Sequence, residues 1–556
     1  MDEAKILQFN NSDEGLLDLA EARRKSGNLD GALSTLFYLQ ERGVRLIDLY
    51  AEIALCFMEL GLNTHAVKYW FKYMAYAPKA KLGRVYNALG ACFYYLGNYG
   101  MSGYYFEKQL SIDTDREYEF DHIMMDYYDS VCEMTKPDFY ICYPPKMVKT
   151  DIILDEAERL FDERRFSDAI DKFSQIPEND DSFSDAQLRI SACYLYQGKF
   201  DLAVLTVKEL IEKDETNKKA IINMLGLLAT IGKREDIDKY LEMAEKLEFT
   251  SADECYKLAT VYCDAKNDEK AKFYLERAVS DDYYDINANF LLAMVYYNLK
   301  DFASSRKKFS LCYRLTKSVI AKYYLKLLDK VENGGEFKPI YYVFNVQKEE
   351  EKKNNDLIKS IIKNGKKTLK STDKNDVLDL LDWSLAIESD LIEPLASSIL
   401  EVGGVVYRKY FIDKLLDPFV SDDLKSLVIS KLVEKGYDKK VGLTFGAFFT
   451  RLQLLKAEFD KEKNELFTRA YALAFGKIAP IEPDFGYKIR DGAYKLYYEL
   501  KENGNLRKIS DLNALAGAIA IYSGQKLSKK RSLIANYFYT QPVDIKRVID
   551  LAKEQK

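Results

Sequence analysis

The stretch from Ala252 to Asp281, ADECYKLATVYCDAKNDEKAKFYLERAVSD, contains the pattern that decides the fold. Small residues stand at Ala259 and Ala271, twelve positions apart, and the large apolar Leu275 follows four positions later on the same helix face. Small side chains at such positions let two paired helices approach closely. The stretch therefore predicts two helices joined by a short polar turn.

The same pattern recurs with a period of about 34 residues. Five copies share one register, in which the first series of small or apolar residues is Ala157, Ser191, Leu225, Ala259 and Ala293. The second series, twelve positions later in each copy, is Ala169, Ala203, Ile237, Ala271 and Ser305. A helix pair of this length cannot bury its apolar face alone, so the copies are expected to stack into a solenoid.

Three earlier copies lie in residues 1–114, where the paired positions are Ala20 with Ala32, Ala54 with Ala66, and Gly90 with Ser102. The period then breaks, because the interval from Gly90 to Ala157 is one position short of two periods. Within this gap, Pro144 and Pro145 disfavour a continuous helix. We therefore expect an irregular joint at 115–149.

These positions resemble the tetratricopeptide repeat (TPR) family, whose units have the same length and carry small residues at their eighth and twentieth positions. The resemblance covers more than half of the chain. It implies a mostly all-α fold, a solenoid of about eight helix pairs: three in 1–114, and five plus a capping helix in 150–335. It also implies a protein that presents a concave surface to a partner.

The remaining residues, from 336 onward, do not repeat this pattern. We expect a mainly helical, HEAT-like region at 336–480, in which 340–346 is β-like and 441–452 forms either a small β-hairpin or a buried helix. Residues 481–556 are expected to form a basic helical domain. Its final part, 501–556, holds 11 Lys and Arg against 5 Asp and Glu, whereas the whole chain has a net charge of −6.

The end of this domain loosely resembles the end of a cyclin-like repeat in transcription factor B, which contains a helix-turn-helix element. The resemblance implies nucleic-acid contacts at Lys529, Lys530, Arg531, Lys546 and Arg547. The sequence departs from that pattern at the turn, where Tyr539 stands in place of the usual glycine.

Catalytic and metal-binding motifs are not found. Of the two histidines, His65 is expected to be a surface or capping residue, and His122, with Asp126 four positions on, a structural one rather than a metal ligand. The eight cysteines form no Cys-x-x-Cys pair and are expected to be reduced thiols. The sequence also lacks an apolar stretch long enough to span a membrane. We therefore expect a cytoplasmic protein that is not an enzyme and that uses no cofactor or metal.

In TPR proteins the first helix of each unit lines the groove. Carried over by position, this family property implies an apolar surface at Leu195, Tyr196, Tyr256, Thr260, Phe290, Met294, Tyr297 and Asn298. An acidic rim is implied at Glu158, Asp162, Asp185 and Asp253, and Asp264 lies beside them. The expected partner is a protein or peptide with apolar anchors and basic flanks.

Three functions are consistent with these observations. The first is a non-enzymatic scaffold or adaptor that binds a protein segment in the groove. The second is a transcription-linked regulator whose C-terminal helix-turn-helix contacts DNA. The third is an enzyme within residues 350–556, although no catalytic motif supports it.

Overall fold

The computed structural model describes residues 12–44, 46–78, 81–112, 145–162, 164–232, 236–454, 464–478, 486–524, 534–535 and 537–554. In these ranges the chain is mainly α-helical, with one two-stranded sheet. It divides into two compact units. Unit 1 combines Met1–Thr135 with Lys348–Lys556, and unit 2 is Lys136–Gln347. The predicted joint at 115–149 lies mostly outside the described residues, as does His122.

The N-terminal part of unit 1 consists of three helix pairs in the predicted frame. The helices are α1 (Asp13–Lys25), α2 (Leu29–Glu41), α3 (Ile47–Glu59), α4 (Asn63–Tyr76), α5 (Leu82–Tyr95) and α6 (Tyr99–Ile112). Each pair is an antiparallel hairpin, and the small residues of the repeat lie buried at its centre.

Unit 2 contains the five predicted pairs and the capping helix. These are α7 (Pro145–Asp162), α8 (Phe166–Phe173), α9 (Phe183–Tyr196), α10 (Phe200–Lys213), α11 (Lys218–Ile231), α12 (Ile237–Glu245), α13 (Ala252–Asp264), α14 (Asp268–Asp281), α15 (Ile286–Asn298), α16 (Phe302–Thr316) and α17 (Val319–Glu332). The prediction of a mostly all-α fold with about eight helix pairs is confirmed, and the described residues hold three pairs in unit 1 and five in unit 2.

The small-residue positions are where the two helices of a pair touch. In three pairs one of them is a serine, whose hydroxyl donates to the facing backbone carbonyl at 2.8 Å: Ser102 to Gly90, Ser191 to Ala203, and Ser305 to Ala293. Such contact between a side chain and a neighbouring backbone requires a short side chain. This explains why the repeat admits alanine, serine and glycine at these positions.

The turn inside each pair of unit 2 needs a left-handed backbone. Residues at equivalent positions of the five repeats take positive φ there: Arg164 (58°), Gly198 (73°), Gly232 (77°), Lys266 (57°) and Lys300 (63°). Glycine adopts this conformation without strain, whereas arginine and lysine do so at a cost. The fold therefore imposes the same turn whether or not the sequence supplies glycine.

The C-terminal part of unit 1 starts with five helices. They are α18 (Lys348–Ser371), α19 (Lys374–Ala386), α20 (Ile392–Val402), α21 (Val405–Lys414) and α22 (Asp422–Glu434). The helix α22 begins at a serine cap, because the Ser421 side chain accepts a hydrogen bond from the Leu424 backbone N–H at 3.3 Å.

The stretch at 441–452 is a β-hairpin and not a buried helix. Strand β1 (Lys440–Phe445) pairs antiparallel with β2 (Phe448–Gln453), from Lys440 opposite Gln453 to Phe445 opposite Phe448. Gly446 and Ala447 form the two-residue turn, both at positive φ. In contrast, residues 340–346 form no strand.

The hairpin joins the two sequence-distant parts of unit 1. The Tyr105 hydroxyl donates to the Ala447 carbonyl at 2.6 Å, and the rings of Phe71 and Phe449 stack with centroids 6.2 Å apart. The Arg451 guanidinium donates to the Ala77 carbonyl at 2.9 Å, at the end of α4. The hairpin thus contacts α4 and α6, the second helices of two N-terminal pairs, and binds the carbonyl that ends α4.

Further helices in the described residues of unit 1 include α23 (Glu465–Ile478), α24 (Gly486–Glu502), α25 (Leu512–Tyr522) and α26 (Pro542–Lys553). The helix α26 buries Ile545, Val548 and Ile549. Gly517 of α25 is in close contact with Ile545, since a Cβ atom at residue 517 would lie 2.6 Å from its Cδ1. The last two helices are therefore integral parts of the core of unit 1.

Candidate protein-binding groove

The residues predicted to line the groove lie on α7, α9, α13 and α15 of unit 2. On α9 and α13, Leu195, Tyr256 and Thr260 are half-buried, and Tyr196 is 66% exposed. Tyr196 stacks on Phe166, with ring centroids 5.2 Å apart. These side chains give the early pairs of unit 2 an accessible surface of apolar and aromatic groups.

The predicted groove residues of α15 are placed differently. Phe290, Met294 and Tyr297 are all buried. The chain's own residues 336–346, which we call the covering segment, contact this face of α15. Phe290 and Tyr297 therefore meet the protein itself and are not open to a partner, in contrast to the open groove expected from the sequence.

The main chain of the covering segment is held by Asn298, at the end of α15. Asn298 Oδ1 accepts a hydrogen bond from the Ile340 backbone N–H at 2.8 Å, and Asn298 Nδ2 donates to the Ile340 carbonyl at 3.0 Å. One side-chain amide thereby satisfies both backbone groups of one residue, as a neighbouring strand would. These two bonds hold the main chain of residue 340 and do not involve its side chain.

Two aromatic contacts flank this pair. Phe344 stacks on Phe290 with ring centroids 5.4 Å apart. Phe337 lies 5.5 Å from Tyr297, measured between ring centroids, and the Lys300 ammonium is 5.1 Å from the centre of the Phe337 ring. The covering segment therefore runs along α15 from its last turn back to Phe290.

Polar contacts complete the site. The Tyr342 hydroxyl donates to Asp268 at 2.6 Å, and the Tyr324 hydroxyl donates to the Asn345 carbonyl at 2.9 Å. The pKa of Tyr342 is raised well above its usual range, mainly by burial and secondly by the hydrogen bond to Asp268. This phenol therefore stays protonated and acts as a donor. Burial raises the pKa of Tyr324 in the same direction. We call Phe290, Tyr297, Asn298, Asp268 and Tyr324 the α15 groove.

The predicted acidic rim carries ion pairs within the protein. The pairs are Glu158 with Arg189 (2.8 Å), Asp185 with Lys219 (2.8 Å), and Asp253 with Lys257 (2.7 Å). Asp162 and Asp264 are exposed. Because these pairs lie in solvent, they are weak and a partner's cation can exchange with the protein's own.

The predicted nucleic-acid contacts fall in two places. Lys546 and Arg547 are exposed on α26, whereas Lys529, Lys530 and Arg531 lie outside the described residues. Tyr539, at the turn before α26, takes a φ of 52°, the left-handed conformation for which glycine is usual. The turn geometry is thus achieved without the usual residue.

Metal-binding and membrane-spanning features are absent from the part of the chain that the structure describes. Across these ranges, no three His, Cys, Asp or Glu side chains are grouped as metal ligands would be. In the same ranges, no helix is long and apolar enough to cross a bilayer. His65, predicted to be a surface or capping residue, is half-buried in the first turn of α4, with its ring 5.2 Å from that of Phe57.

The covering segment is what the sequence reasoning missed. Its signal was present as an apolar run that follows Gly335 and has no repeat of its own. The sequence predicts this run to be β-like, but the structure has no strand there, and residues 344–345 form a bend. Its partners are side chains of α14, α15 and α17, which a local pattern does not reveal.

Helix pairs of one repeat length, stacked in register with small residues at the contacts, define a tetratricopeptide-repeat solenoid. No family model matches the chain. The TPR repeat-containing protein YpiA of Bacillus subtilis is 26% identical over 145 residues, which are 26% of this chain and 34% of that protein. The chain thus matches about a third of the length of this curated relative. The repeat and the structure give the described part of this chain the fold of a TPR solenoid, and its sequence is similar to this relative over 145 residues.

Solved structures with a similar arrangement include three helical-repeat proteins. The TPR2AB domain of yeast Sti1 is 14% identical (TM-score 0.20) and covers 55% of this chain and 98% of its own. Human IFIT1 is 12% identical, with a TM-score of 0.28, and covers 98% of this chain and 96% of its own. Yeast Tom70 is 14% identical, with a TM-score of 0.21, and covers 97% of this chain and 95% of its own. At such low scores these similarities say nothing about function.

Proposed function

We propose that this protein is a non-enzymatic scaffold that binds a protein or peptide segment along the first helices of the pairs in unit 2. One observation carries the proposal. The α15 groove holds the covering segment, which is neither helix nor strand, through its main chain, by the two hydrogen bonds between Asn298 and Ile340. A surface that captures a backbone in this way is suited to binding polypeptide.

The accessible part of this surface lies on α9 and α13. Leu195, Tyr196 and Tyr256 offer apolar area with few rotatable bonds, so that ordering them on binding costs little entropy. Tyr196 is further fixed by its stack on Phe166. The partner segment is therefore expected to contribute apolar anchors.

The acidic residues beside this surface are expected to decide which residues flank the partner's apolar anchors. The carboxylates of Glu158, Asp185 and Asp253 favour lysine or arginine beside the anchors. Because each is already paired with an exposed lysine or arginine, the effect on affinity is expected to be small, and the effect on association rate larger at low salt.

Selection of peptides on the immobilised full chain tests the proposal. A random peptide library should yield sequences with apolar anchors and basic flanks. Replacing Tyr196 and Tyr256 together by alanine should weaken their binding at least tenfold, measured by fluorescence anisotropy. Tyr38→Ala, an exposed tyrosine of α2 in unit 1, is the matched control and should leave binding unchanged. If no sequence is enriched, or if the double variant binds as well as the parent, the proposal is wrong.

A further inference from the structure

We infer that the covering segment, residues 336–346, is an intramolecular ligand, and that the α15 groove binds in trans a segment of the same chemistry. That chemistry is two aromatic residues seven positions apart, as in Phe337 and Phe344, with an aliphatic residue between them whose backbone pairs with Asn298. The inference deepens the proposed function and rests on it.

The contacts divide as they do between a receptor and a peptide. The groove supplies side chains: the amide of Asn298, the hydroxyl of Tyr324, and the ring of Phe290. The covering segment supplies its main chain at Ile340 and Asn345. Backbone recognition of this kind gives affinity, while the side-chain pockets give specificity.

Specific contacts select which segments fit. The stack on Phe290 and the site between Tyr297 and Lys300 each take an aromatic ring. Asp268 accepts a hydrogen bond from the Tyr342 hydroxyl. A competing segment therefore needs an aromatic residue at each end, and gains from a tyrosine two residues after the backbone-paired position.

The covering segment is only partly buried, unlike the helices beneath it. Ile340 and Val346 are buried, whereas Tyr341 is 65%, Val343 39% and Phe344 50% exposed. Its release therefore returns little apolar surface to water compared with the loss of a helix. A partner that makes the same contacts can replace it without unfolding the solenoid.

The covering segment is tethered at both ends, between α17 and α18. A short tether gives an effective concentration on the order of millimolar, which suppresses binding in trans until a partner exceeds it. The parent chain is therefore expected to bind a competing peptide weakly. Weakening the internal contacts should strengthen that binding, because the groove is then open for more of the time.

A labelled peptide with the sequence of residues 336–346 tests the inference on the full chain. In the released variant, Phe337→Ser, Ile340→Gly and Phe344→Ser are combined to weaken the internal segment. We expect this variant to bind the peptide at least tenfold more tightly than the parent, and Asn298→Ala added to it to abolish the gain. The matched control, Tyr341→Ser with Val343→Ser, changes outward side chains of the same segment and should bind as the parent does.

A second measurement does not depend on the released variant folding. Chymotrypsin should cut the parent within 336–346 much faster when the peptide is present in excess. No binding by a folded released variant, binding by the parent equal to that of the released variant, or cleavage unaffected by saturating peptide would each overturn the inference. Library peptides that still bind through Tyr196 and Tyr256 would then leave the proposed function standing.

Discussion

The side-chain amide of Asn298 forms hydrogen bonds with both backbone groups of Ile340, accepting at 2.8 Å and donating at 3.0 Å. The two residues are 42 positions apart, and Asn298 is the last residue of α15. This one pairing fixes the path of the covering segment. It also makes the groove of a repeat solenoid the binding site for its own chain.

Asn298→Ala should loosen the covering segment selectively. It removes both bonds and leaves the Ile340 N–H without its acceptor. The free energy that holds the covering segment on α15 should fall by about 1–3 kcal/mol. Hydrogen exchange followed by mass spectrometry should show faster exchange in residues 336–346 with little change in α9 or α11. Asn223→Ala, which removes an exposed amide on α11, is the control and should leave that segment protected. Equal exchange in the two variants would contradict this role for Asn298.

At the left-handed turn positions, removing a glycine should lower the stability of unit 2, and introducing one should raise it. Gly198→Ala places a Cβ at a φ of 73° and should destabilise unit 2 by about 1 kcal/mol. Lys266→Gly removes strain at the equivalent position and should raise stability by up to about 1 kcal/mol, less the added entropy of the unfolded chain.

Thermal unfolding followed by circular dichroism measures both changes. Lys257→Gly, inside α13, is the control for the helix cost of glycine and should lower the melting temperature. If Lys266→Gly lowers it as much, the turn at Lys266 is not strained.

Tyr105→Phe should weaken the docking of the hairpin. The phenol donates to the Ala447 carbonyl at 2.6 Å in a buried setting, and its loss should cost about 1 kcal/mol of the unfolding free energy of unit 1. Urea unfolding of the parent and the variant gives the difference. Tyr498→Phe, at a half-exposed residue of α24, should change stability by much less. A Tyr105 variant as stable as the parent would argue that the hydroxyl bond contributes nothing.

His65 should make unit 1 sensitive to acid. Burial and the nearby Lys68 lower its pKa to about 4, while Asp417 acts in the opposite direction. The unfolded chain, with a histidine pKa of about 6.5, binds more protons than the folded chain between these values. Stability from this group is therefore complete above about pH 6.5 and falls as the pH decreases toward 4.

Urea unfolding of unit 1 between pH 7 and pH 4.5 or so tests this dependence. The variant His65→Gln cannot gain the proton, so its stability should fall less steeply over that range. The same slope in the parent and the variant would show that the carboxylates alone cause the acid loss.

Buried cysteines should resist modification in the native protein. Six described cysteines, Cys56, Cys92, Cys193, Cys255, Cys263 and Cys312, are free and buried. Burial raises the pKa of Cys56, Cys92 and Cys312 to about 12, so almost no thiolate is present at neutral pH.

Titration with a disulfide reagent, followed by peptide mapping, measures this protection. None of the six should react within minutes in the native protein, and all should react in urea. Rapid labelling of any of them without denaturant would mean that its helix pair opens readily.

The sequence alone determined the repeat frame, the helix pairs and several helix ends. These depend on neighbours within one turn or one unit: the small residues at Ala259 and Ala271 mark a contact inside a single pair, and Ser421 caps the helix that follows it. Such signals are local, so they can be counted along the chain. The groove positions, including Asn298, come only from the resemblance to TPR proteins and stay a prediction.

Only the tertiary structure decided which parts of the surface stay open. The covering segment reaches Asn298 across 42 residues, and Tyr105 reaches the Ala447 carbonyl across 342. Neither contact produces a repeated pattern in the sequence, because each depends on where two distant backbones meet. The same holds for Lys266, whose left-handed backbone is imposed by the packed pair against its own preference. The repeat therefore specified the scaffold, and long-range contacts specified which of its faces the protein covers with itself.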